Sequence, residues 1–368
     1  MRILFITPFP PEQPGPDGMT LIAYYLVRSL AKQHQVTIWS SSTHPSSAKL
    51  WRHYLHSQQL PWYASKRLSD NITKSLRAGT EQYDLIYLHS PFSLGYIRSI
   101  CNTPVVAGVI DTMSDWFTQA AQFESNWLKR LHYQRESKLS RKLETELLGN
   151  DLVKKLIVVS HTDQTKLGVS SKIKVIPNGV DTTTFKPSHQ QPKQAAIIFT
   201  GIMNYAPNAD AVEYFYQSIW PQVRTPQLKW LVVGKHPTAA MQNIARRDPN
   251  IVVTGTVPSI VPYLQKAQVY IAPVRFGTGI KNKLLEAMAC GLPVVALPGS
   301  TGGLESAPIQ QADGGQFANT LNRLLQSATE RASLGQAGRT YIETHHTWEA
   351  VCSSYAQVFT AALAESNL

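Results

Sequence analysis

The chain has 368 residues, a length that suits two domains of roughly 150–200 residues each better than a single hydrophobic core. Hydrophobic residues make up 43% and charged residues 16%, which is typical of globular proteins and excludes disordered chains, and no apolar run reaches the ~18 residues of a membrane-spanning helix. The excess of 35 Lys and Arg over 24 Asp and Glu, a net charge of +11, favours anionic partners such as nucleotides, phospholipid headgroups or nucleic acid.

The chain begins with the strand-like run MRILFITPFP, which lacks the basic start and small-residue cleavage site of a secretory signal. A cytoplasmic location is therefore expected. The cysteines Cys101, Cys290 and Cys352 are widely scattered, with no CxxC pair and no Cys/His spacing. Neither a disulfide framework nor a zinc site is predicted, and the three residues are expected to be small buried hydrophobes.

The first half of the chain alternates short β-branched strands with helical segments, which is the rhythm of βαβ units around a parallel sheet. Helical periodicity predicts a helix over 21–32 and a long helical stretch over 115–149. The strands predicted in this half are 2–7, 35–40, 84–88, 104–110, 156–160 and 173–176.

The segment KPSHQQPKQ at 186–194 has no apolar periodicity and contains two prolines, which indicates a linker. Beyond it the alternation resumes as a second doubly wound α/β domain, and a final helix is predicted over 348–364. The elements predicted between the two are strands at 195–200, 230–233, 251–254, 269–272 and 294–296 and helices at 209–219, 237–246, 262–266, 280–290 and 317–325.

In the segment IAPVRFGTGIKNKLLEAMACGLPVV, a strand ends in a glycine-bearing turn and a helix is predicted from about Ile280. Gly277 and Gly279 allow the backbone to bend and to approach a ligand closely, and the unpaired N–H groups at the helix start suit a phosphate. Lys281 and Lys283 add two positive charges beside them. The order of these parts indicates an anion-binding site.

Glu286 lies less than two turns into the same predicted helix. There its carboxylate can accept hydrogen bonds from two adjacent hydroxyl groups, as a ribose presents them. The lysines would then bind a diphosphate and Glu286 the ribose of a nucleotide. Taken one at a time, each of these residues is better explained as part of a capped helix with solvated side chains, but their combination on one strand, turn and helix favours the nucleotide site.

This segment resembles the carboxy-terminal signature of the large family of retaining glycosyltransferases with the GT-B architecture, usually called family 4. IPNGVD at 176–181 resembles the family's interdomain crossing, GIMNYAPN at 201–208 its first donor-domain turn, and VVGKHP at 232–237 the next turn. The turn after the first strand, with Gly18, looks like its flexible glycine loop. The patterns GxMxYxPN and GxGxKNKxLEAMAxG are similar to those of a branch associated with bacterial exopolysaccharide and surface-glycan assembly.

The resemblance implies an α/β fold of the GT-B type, with two Rossmann-like, doubly wound parallel-sheet domains facing a central cleft. Residues 1–183 would form the acceptor-side domain and residues 184–347 the donor domain, with the last helix, 348–368, packing back on the first. It also implies sugar transfer with retention of configuration from a nucleoside diphosphate sugar, most simply a UDP or GDP sugar. The acceptor would be a hydroxyl of a glycan, a glycolipid or a lipid-linked saccharide.

Carried over residue by residue, the resemblance places most motif residues at the donor. Asn178 has a second interpretation as a turn residue, because Asn-Gly favours left-handed backbone. Lys281, Glu286 and Asp111 are also assigned to the catalytic centre. The complete donor set is Gly18, Asn178, Gly201, Asn204, Gly277, Thr278, Gly279, Ile280, Lys281, Lys283 and Glu286.

The sequence departs from the family pattern at two points. The family's paired glutamates, eight residues apart, would fall on Thr278 and Glu286, so contacts to the transferred sugar would come from backbone N–H groups of residues 278–280. The usual Arg and Lys of the first donor-domain turn are absent from GIMNYAPN, which offers only Asn204 and Asn208. The two lysines of the glycine turn are then the expected diphosphate clamp.

On the acceptor side, many family members carry a His and then an Asp just after the strand that corresponds to 105–110, and here the pair is Ile110 and Asp111. Together with Asp115, Asp111 follows a parallel strand at its carboxyl end, where open α/β sheets bind ligands. It could bind acceptor hydroxyls or relay a proton, and a helix cap is the alternative. His89, after the preceding strand, is either a second acceptor-side candidate or a structural residue.

The positive excess is larger in the first half, since residues 1–185 have 21 Lys and Arg against 14 Asp and Glu, and residues 186–368 have 14 against 10. The stretch 49–77 interleaves six cations with Trp and Tyr, and the stretch 129–142 has six cations beside Trp127 and Tyr133. They are either segments that contact the inner face of an anionic membrane or ordinary helices with solvated basic faces. No nucleic-acid recognition motif is visible, so nucleic acid is not an expected partner.

No metal and no cofactor besides the donor sugar are expected, because the sequence has no Asp-x-Asp or His/carboxylate cluster suited to Mg²⁺ or Mn²⁺. Two alternatives to a glycosyltransferase remain open. One is a GT-B sugar-nucleotide epimerase, and the other is a catalytically silent nucleotide-sugar-binding partner within a glycan-assembly complex.

Overall fold

The computed structural model describes four stretches of the chain: residues 1–12, 18–41, 60–188 and 193–366. The middle of the predicted linker, most of the glycine loop before Gly18 and the part of the first basic stretch up to residue 59 lie outside the described residues.

The chain forms two compact units. One consists of Met1–Asn178 together with Trp348–Leu368, and the other of Gly179–Thr347. The chain thus passes from the first unit to the second after Asn178, whereas the sequence pattern predicts this domain boundary after residue 183. The parallel bridge between Val180 and Thr347 places the two ends of the second unit side by side.

The first unit is built on a parallel sheet whose strands read as nearly continuous apolar runs, as expected for strands covered on both faces. Its strands are β1 (Arg2–Thr7), β2 (Gln35–Ser40), β3 (Leu85–His89), β4 (Val105–Ile110), β5 (Val153–Val158) and β6 (Ile173–Val175). They are arranged in the order β2-β1-β3-β4-β5-β6. Because every pair is parallel, the residues that follow β3, β4 and β5 share one edge of the sheet.

Helices flank this sheet, and the long stretch predicted over 115–149 is divided into two of them. The Asn126 side chain causes the division, since its Oδ1 accepts the N–H groups of Leu128 at 3.0 Å and Lys129 at 3.2 Å and starts a new helix. The helices are α1 (Gly18–Leu30), α2 (Trp62–Ser65), α3 (Asp70–Ala78), a 3₁₀ helix (Pro91–Ser99), α4 (Met113–Phe123), α5 (Trp127–Gly149) and α6 (His161–Leu167).

The second unit repeats the design with a further six-stranded parallel sheet. Its strands are β7 (Ala196–Thr200), β8 (Lys229–Val233), β9 (Ile251–Val253), β10 (Val269–Ala272), β11 (Val294–Ala296) and β12 (Gln310–Gln311), in the order β12-β11-β10-β7-β8-β9. Its helices are α7 (Ala206–Tyr214), extended by a π-helical turn (Phe215–Ile219) and a 3₁₀ turn (Trp220–Gln222), then α8 (Ala239–Arg247), α9 (Val261–Lys266), α10 (Asn282–Ala289), a 3₁₀ turn (Pro298–Ser300), α11 (Phe317–Gln326) and α12 (Ala328–His345).

The last helix, α13 (Trp348–Ala364), belongs to the first unit and packs against α1, β4 and β5. Its apolar side includes the buried Tyr355 and Phe359, and the Phe359 ring centroid lies 5.1 Å from that of Tyr87 in β3. Trp348 stacks on Tyr25 of α1 with ring centroids 4.4 Å apart. These contacts explain the helical spacing of apolar residues in the C-terminal sequence.

The burial of the cysteines differs from the sequence expectation at one position. Cys101 is exposed, whereas Cys290 and Cys352 are buried as expected, and all three are free thiols. Within the part of the chain that the structure describes, no helix is both long and apolar enough to cross a membrane.

Helix α12 meets the chain after α10 through glycine instead of through large side chains. A Cβ placed on Gly335 would lie 2.2 Å from the carbonyl oxygen of Gly291, so the helix can approach this closely only with hydrogen at that position. The contact fixes α10, and with it the predicted nucleotide site, against α12.

We expect Gly335→Ala to lower the free energy of unfolding by about 1–3 kcal/mol, because the added methyl group overlaps backbone and not a flexible side chain. Gly149→Ala is the matched control. Gly149 ends α5 with nothing within 4 Å of its added Cβ, so alanine there should raise the free energy of unfolding by a few tenths to about 1 kcal/mol. Urea unfolding of both variants checks the pair, and equal stabilities would contradict the packing described.

Candidate functional site

The predicted nucleotide-site residues meet at the carboxyl edge of the second sheet, where the turns after β7, β8 and β10 come together. The turns after β7 and β8 are in backbone contact, since a Cβ on Gly234 would lie only 1.8 Å from the Gly201 carbonyl oxygen. Gly201 is in turn next to Asn208, whose Nδ2 donates to the Ile202 carbonyl at 2.8 Å. Glycine at these two positions therefore opens the edge to close backbone approach.

Lys283 reaches from α10 to this first turn. Its ammonium donates to Oδ1 of Asn208 and lies 4.5 Å from the centroid of the Phe199 ring, and a Cβ on Gly201 would be 3.2 Å from it. Burial, with the neighbouring charge of Lys281 as a second cause, lowers the pKa of Lys283 to about 7. The structure thus brings Gly201 and Asn208 together around the Lys283 ammonium, which lies in a poorly solvated position.

Lys281 has a different environment from its predicted partner. Its ammonium donates to the carbonyl oxygens of Thr278 at 2.7 Å and Gly279 at 3.1 Å, and so closes the glycine turn on itself. Lys281 is the N-cap residue of α10 with extended backbone, and the first helical residue is Asn282. The prediction of a helix start at Ile280 was wrong by two residues, because residues up to Lys281 belong to this closed turn.

Glu286 lies one turn after Lys283 on α10 and is half-buried. Burial raises the pKa of its carboxyl to about 7, against the opposing effect of the Lys283 charge. A helix that carries a poorly solvated lysine and a poorly solvated glutamate three residues apart is unusual for a helix with merely solvated side chains. The observation favours a ligand site over the capped-helix alternative.

The remaining donor candidates take their places around the glycine turn. Thr278 is half-buried between Gly277 and Gly279, which both have positive φ (123° and 68°). Ile280 is buried, and Asn204 is exposed on the turn after β7. Of the other two, Gly18 starts α1 and Asn178 is buried at the end of the first unit, so neither belongs to the second unit.

Sequence reasoning missed the residues that brace this turn. Arg275 donates from Nε to Oδ2 of Asp210 in α7 at 2.8 Å, in a two-bond ion pair, and its guanidinium lies 4.7 Å from the Tyr214 ring centroid. Ser300 donates to the carbonyl oxygens of Ala272 at 2.7 Å and Val274 at 2.9 Å. The position of Arg275 two residues before Gly277 was the available signal, but its partner comes from a distant segment.

In the first unit, His89 is a buried structural residue in this structure. Its Nε2 lies 2.7 Å from the Met19 carbonyl oxygen and its Nδ1 3.3 Å from the Tyr87 hydroxyl. Burial lowers the pKa of His89 to about 4, so the ring is neutral at physiological pH and holds the start of α1 against β3. Both ring nitrogens face protein groups, which leaves no nitrogen for an acceptor.

The two candidate aspartates have unlike surroundings. Asp115 is buried in the first turn of α4, with Oδ1 3.3 Å from the Lys166 ammonium and Oδ2 accepting from Gln119 at 2.7 Å. Asp111 is half-buried and directly follows β4, and the N-cap position of α4 is occupied by Thr112. Asp111 lies one residue before that N-cap position, and both its acceptor role and the helix-cap alternative stay predictions.

Among the residues that the structure describes, no group of three or more His, Cys, Asp or Glu side chains is placed to hold a metal ion. Three positively charged side chains of the described residues lie at or beside the glycine turn: Lys281, Lys283 and Arg275, the last of which is paired with Asp210.

Two family models match the chain, one described as Glycosyltransferase Family 4 over residues 16–184 and one as Glycosyl transferases group 1 over residues 194–327. Between them they account for most of both units. The chain belongs to the group 1, or family 4, glycosyltransferases. The resemblance inferred from the motifs is thus confirmed.

One relative in this family is a GDP-mannose-dependent monoacylated alpha-(1-6)-phosphatidylinositol monomannoside mannosyltransferase from Corynebacterium glutamicum, 27% identical over 201 residues. The match covers 47% of this chain and 52% of that protein, so the chain spans about half the length of the relative it matches.

Two solved structures share the fold over nearly their whole length. Sucrose-phosphate synthase from Thermosynechococcus elongatus has a TM-score of 0.74 at 18% identity, with 99% of each chain covered. HepE from Anabaena, solved in complex with UDP, has a TM-score of 0.65 at 16% identity, with 98% of this chain and 100% of that chain covered. The predicted GT-B fold of two Rossmann-like domains is confirmed.

The lowered pKa of Lys283 predicts a pH dependence for anion binding by this family member. As the pH rises through about 7, Lys283 in the ligand-free protein loses its charge, so the affinity for UDP or GDP should fall between pH 6 and 9 by up to about tenfold per pH unit. Lys283→Met should remove that component. Calorimetric titration measures it, and because Glu286 gains charge over the same range, the comparison is the difference in slope between the two proteins. Parallel slopes would contradict the assignment.

Proposed function

We propose that the chain transfers a sugar from a nucleoside diphosphate sugar to a hydroxyl acceptor with retention of anomeric configuration. The observation that carries the proposal is the meeting of Lys283, Asn208 and Gly201 with Glu286 at the carboxyl edge of the second sheet. That edge is where open α/β sheets bind nucleotides. The Corynebacterium relative uses GDP-mannose and HepE was solved with UDP, which supports a UDP or GDP sugar as donor.

The proposed division of work follows from the charges. Lys283 and the N-terminus of α10 stabilise the negative charge that develops on the departing diphosphate. Glu286 accepts hydrogen bonds from the ribose hydroxyls. The fixed cations take the place of a metal ion, and no metal or cofactor is proposed.

Lys281 is proposed to fix the backbone conformation of the glycine turn, which would face the transferred sugar. In a trans peptide the C=O and N–H groups point in opposite directions. Because the carbonyls of Thr278 and Gly279 are directed at the Lys281 ammonium, the N–H groups of Gly279 and Ile280 point away from it. These donors are suited to hydrogen-bond the transferred sugar, where the family's first glutamate is replaced by Thr278.

Asp111 is proposed to bind the acceptor hydroxyl. It is half-buried at the carboxyl end of β4, where open α/β sheets bind their ligands. With no histidine beside Asp111, the departing phosphate takes the acceptor's proton as the new glycosidic bond forms. Asp111 then orients the attacking oxygen.

An anionic membrane surface is the proposed location of the acceptor, at the inner face of the cell membrane, in surface polysaccharide or glycolipid assembly. The support is an apolar corner formed by Phe123, Trp127, Leu128 and Leu131, whose exposed fractions are 43%, 66%, 59% and 55%. The exposed Lys129 and Arg130 lie within it, so the corner combines apolar side chains with positive charge.

The glycosyltransferase proposal is tested by Glu286→Ala against Thr278→Ala. The first should weaken UDP and GDP binding about 100-fold, because it removes a charged acceptor of two hydrogen bonds, and the second by only a few fold. Calorimetry measures binding, and transfer from UDP-glucose and GDP-mannose to phosphatidylinositol and octyl glucoside, with the product's anomeric configuration read by NMR, measures activity.

Other outcomes of this experiment would point elsewhere. Interconversion of the sugar nucleotide without an acceptor would indicate an epimerase, and tight nucleotide binding without any turnover would indicate a silent binding partner. Unchanged UDP and GDP affinity in Glu286→Ala would overturn the site assignment itself.

The membrane proposal is tested with the double variant Trp127→Ser, Leu131→Ser. Cosedimentation with vesicles of phosphatidylglycerol and phosphatidylcholine should fall at least tenfold, since each exposed apolar side chain contributes on the order of 1–2 kcal/mol to insertion. Val169→Ser is the control, because Val169 is a fully exposed single apolar residue outside the corner. Equal vesicle binding by all three proteins would contradict the proposal.

A further inference from the structure

Asp111 is the one partly exposed residue in a buried stretch of backbone. Every residue of β4 before it is buried, and Thr112 after it is buried as well. Each of these two neighbours is held in place by a different set of contacts.

Ile110, on one side, has a left-handed backbone with φ of 60°. A β-branched residue rarely adopts this conformation, and it persists only where the surroundings enforce it. Here the side chain is buried, and the carbonyl oxygen accepts the N–H of Val159 at 3.3 Å. The pairing of β4 with β5 also shifts register between Gly108 and Ile110, and an irregularity of this kind changes the direction of the side chains that follow it.

Thr112, on the other side, is bound to Asp163 of α6. Its N–H donates to Oδ1 of Asp163 at 3.2 Å, and its hydroxyl donates to the Asp163 carbonyl oxygen at 3.3 Å. Asp163 is itself buried, and Ser160 hydrogen-bonds both its backbone N–H, at 3.0 Å, and its Oδ2. A carboxylate fixed in this way is a rigid anchor for the backbone of Thr112.

We propose that Ile110 and Asp163 are positioning residues that hold Asp111 for the acceptor hydroxyl, an inference that rests on the proposed function. Glycine would adopt the conformation of residue 110 without strain, but it would also leave the backbone free to relax. A buried isoleucine removes that freedom. The neighbouring strand β3 is likewise followed by a residue with positive φ, Ser90 at 72°, so strain is concentrated at the sheet edge where acceptor binding is proposed.

The expected effect is on transfer and not on donor binding. A displacement of about 1 Å in an orienting group costs on the order of 100-fold in rate. The proposed donor residues of α10 and the glycine turn belong to the other unit, so nucleotide affinity should be unaffected.

The test is a double-mutant cycle on the full-length chain. Ile110→Gly and Asp163→Ala are each made in the natural sequence and in an Asp111→Asn background, with Ile110→Val and Asp163→Asn as conservative variants. The measurements are kcat and KM for transfer from UDP-glucose and GDP-mannose to octyl glucoside and phosphatidylinositol, the Kd for UDP and GDP, and the Tm.

Ile110→Gly and Asp163→Ala should each lower kcat/KM for the acceptor by about 10- to 100-fold with unchanged nucleotide Kd, and the conservative variants should restore most of it. In the Asp111→Asn background the same changes should cause no further loss, because they act through the aspartate. Gln227→Gly relieves a similar left-handed strain (φ 56°) at an exposed position of the second unit and should leave transfer unchanged. If Ile110→Gly does not fold, the Asp163 variants carry the cycle.

Equal losses in both backgrounds would show that the two residues only stabilise the fold, and the inference would be wrong. Full activity of Asp111→Asn would overturn the inference while leaving the glycosyltransferase proposal intact. Absence of any donor turnover by the unsubstituted chain would instead contradict the proposed function, on which the inference depends.

Discussion

Backbone contact between two turns governs the carboxyl edge of the second sheet. A Cβ on Gly234 would lie 1.8 Å from the Gly201 carbonyl oxygen, so the turns after β7 and β8 can meet only with glycine at position 234. Their meeting leaves room for Lys283 to cross from α10 to Asn208, into a position where burial lowers the pKa of the lysine and raises that of Glu286. Without a ligand the pair avoids carrying a full buried charge on either side, and an arriving phosphate would favour the protonated lysine. The proposed anion binding would thereby be linked to proton uptake through one helix.

The strands and the last helix were predictable because their signal is local. Buried parallel strands require apolar runs, and α13 shows its packing side directly in its spacing. Helix α12 was invisible to the same reasoning, since its buried positions are Gly335, Gly338 and Ile342. Its packing depends on glycines, which have no side chain and therefore add nothing to a hydrophobic periodicity. The break between α4 and α5 was equally hidden, because only the side-chain geometry of Asn126 shows that a capping residue starts a new helix there.

For the candidate site, the sequence predicted which residues assemble but not how they are used. The glycines, Lys283 and Glu286 lie where the motif order placed them. The paired clamp of two lysines stays a prediction, and the structure shows the Lys281 ammonium donating to the carbonyls of Thr278 and Gly279, an environment that the sequence did not indicate. The brace between Arg275 and Asp210 joins residues 65 apart in the chain, and no local pattern specifies such a pair. The environment of each charged side chain depends on partners that are distant in the sequence, and only the folded structure shows which residues these are.

The resemblance implies that Thr278 replaces the family's first glutamate, and such a replacement would change the chemistry of the turn. A carboxylate accepts hydrogen bonds from sugar hydroxyls, whereas backbone N–H groups can only donate. If the N–H groups of Gly279 and Ile280 face the sugar, as proposed, the sugar oxygen at that point must act as an acceptor. The turn then needs a fixed geometry, since backbone donors cannot adjust by rotating a side chain. Lys281 supplies it by binding both carbonyls of the turn, so one cation shapes the proposed sugar side. Lys283, in the first turn of α10, remains with Asn208 at the predicted phosphate position.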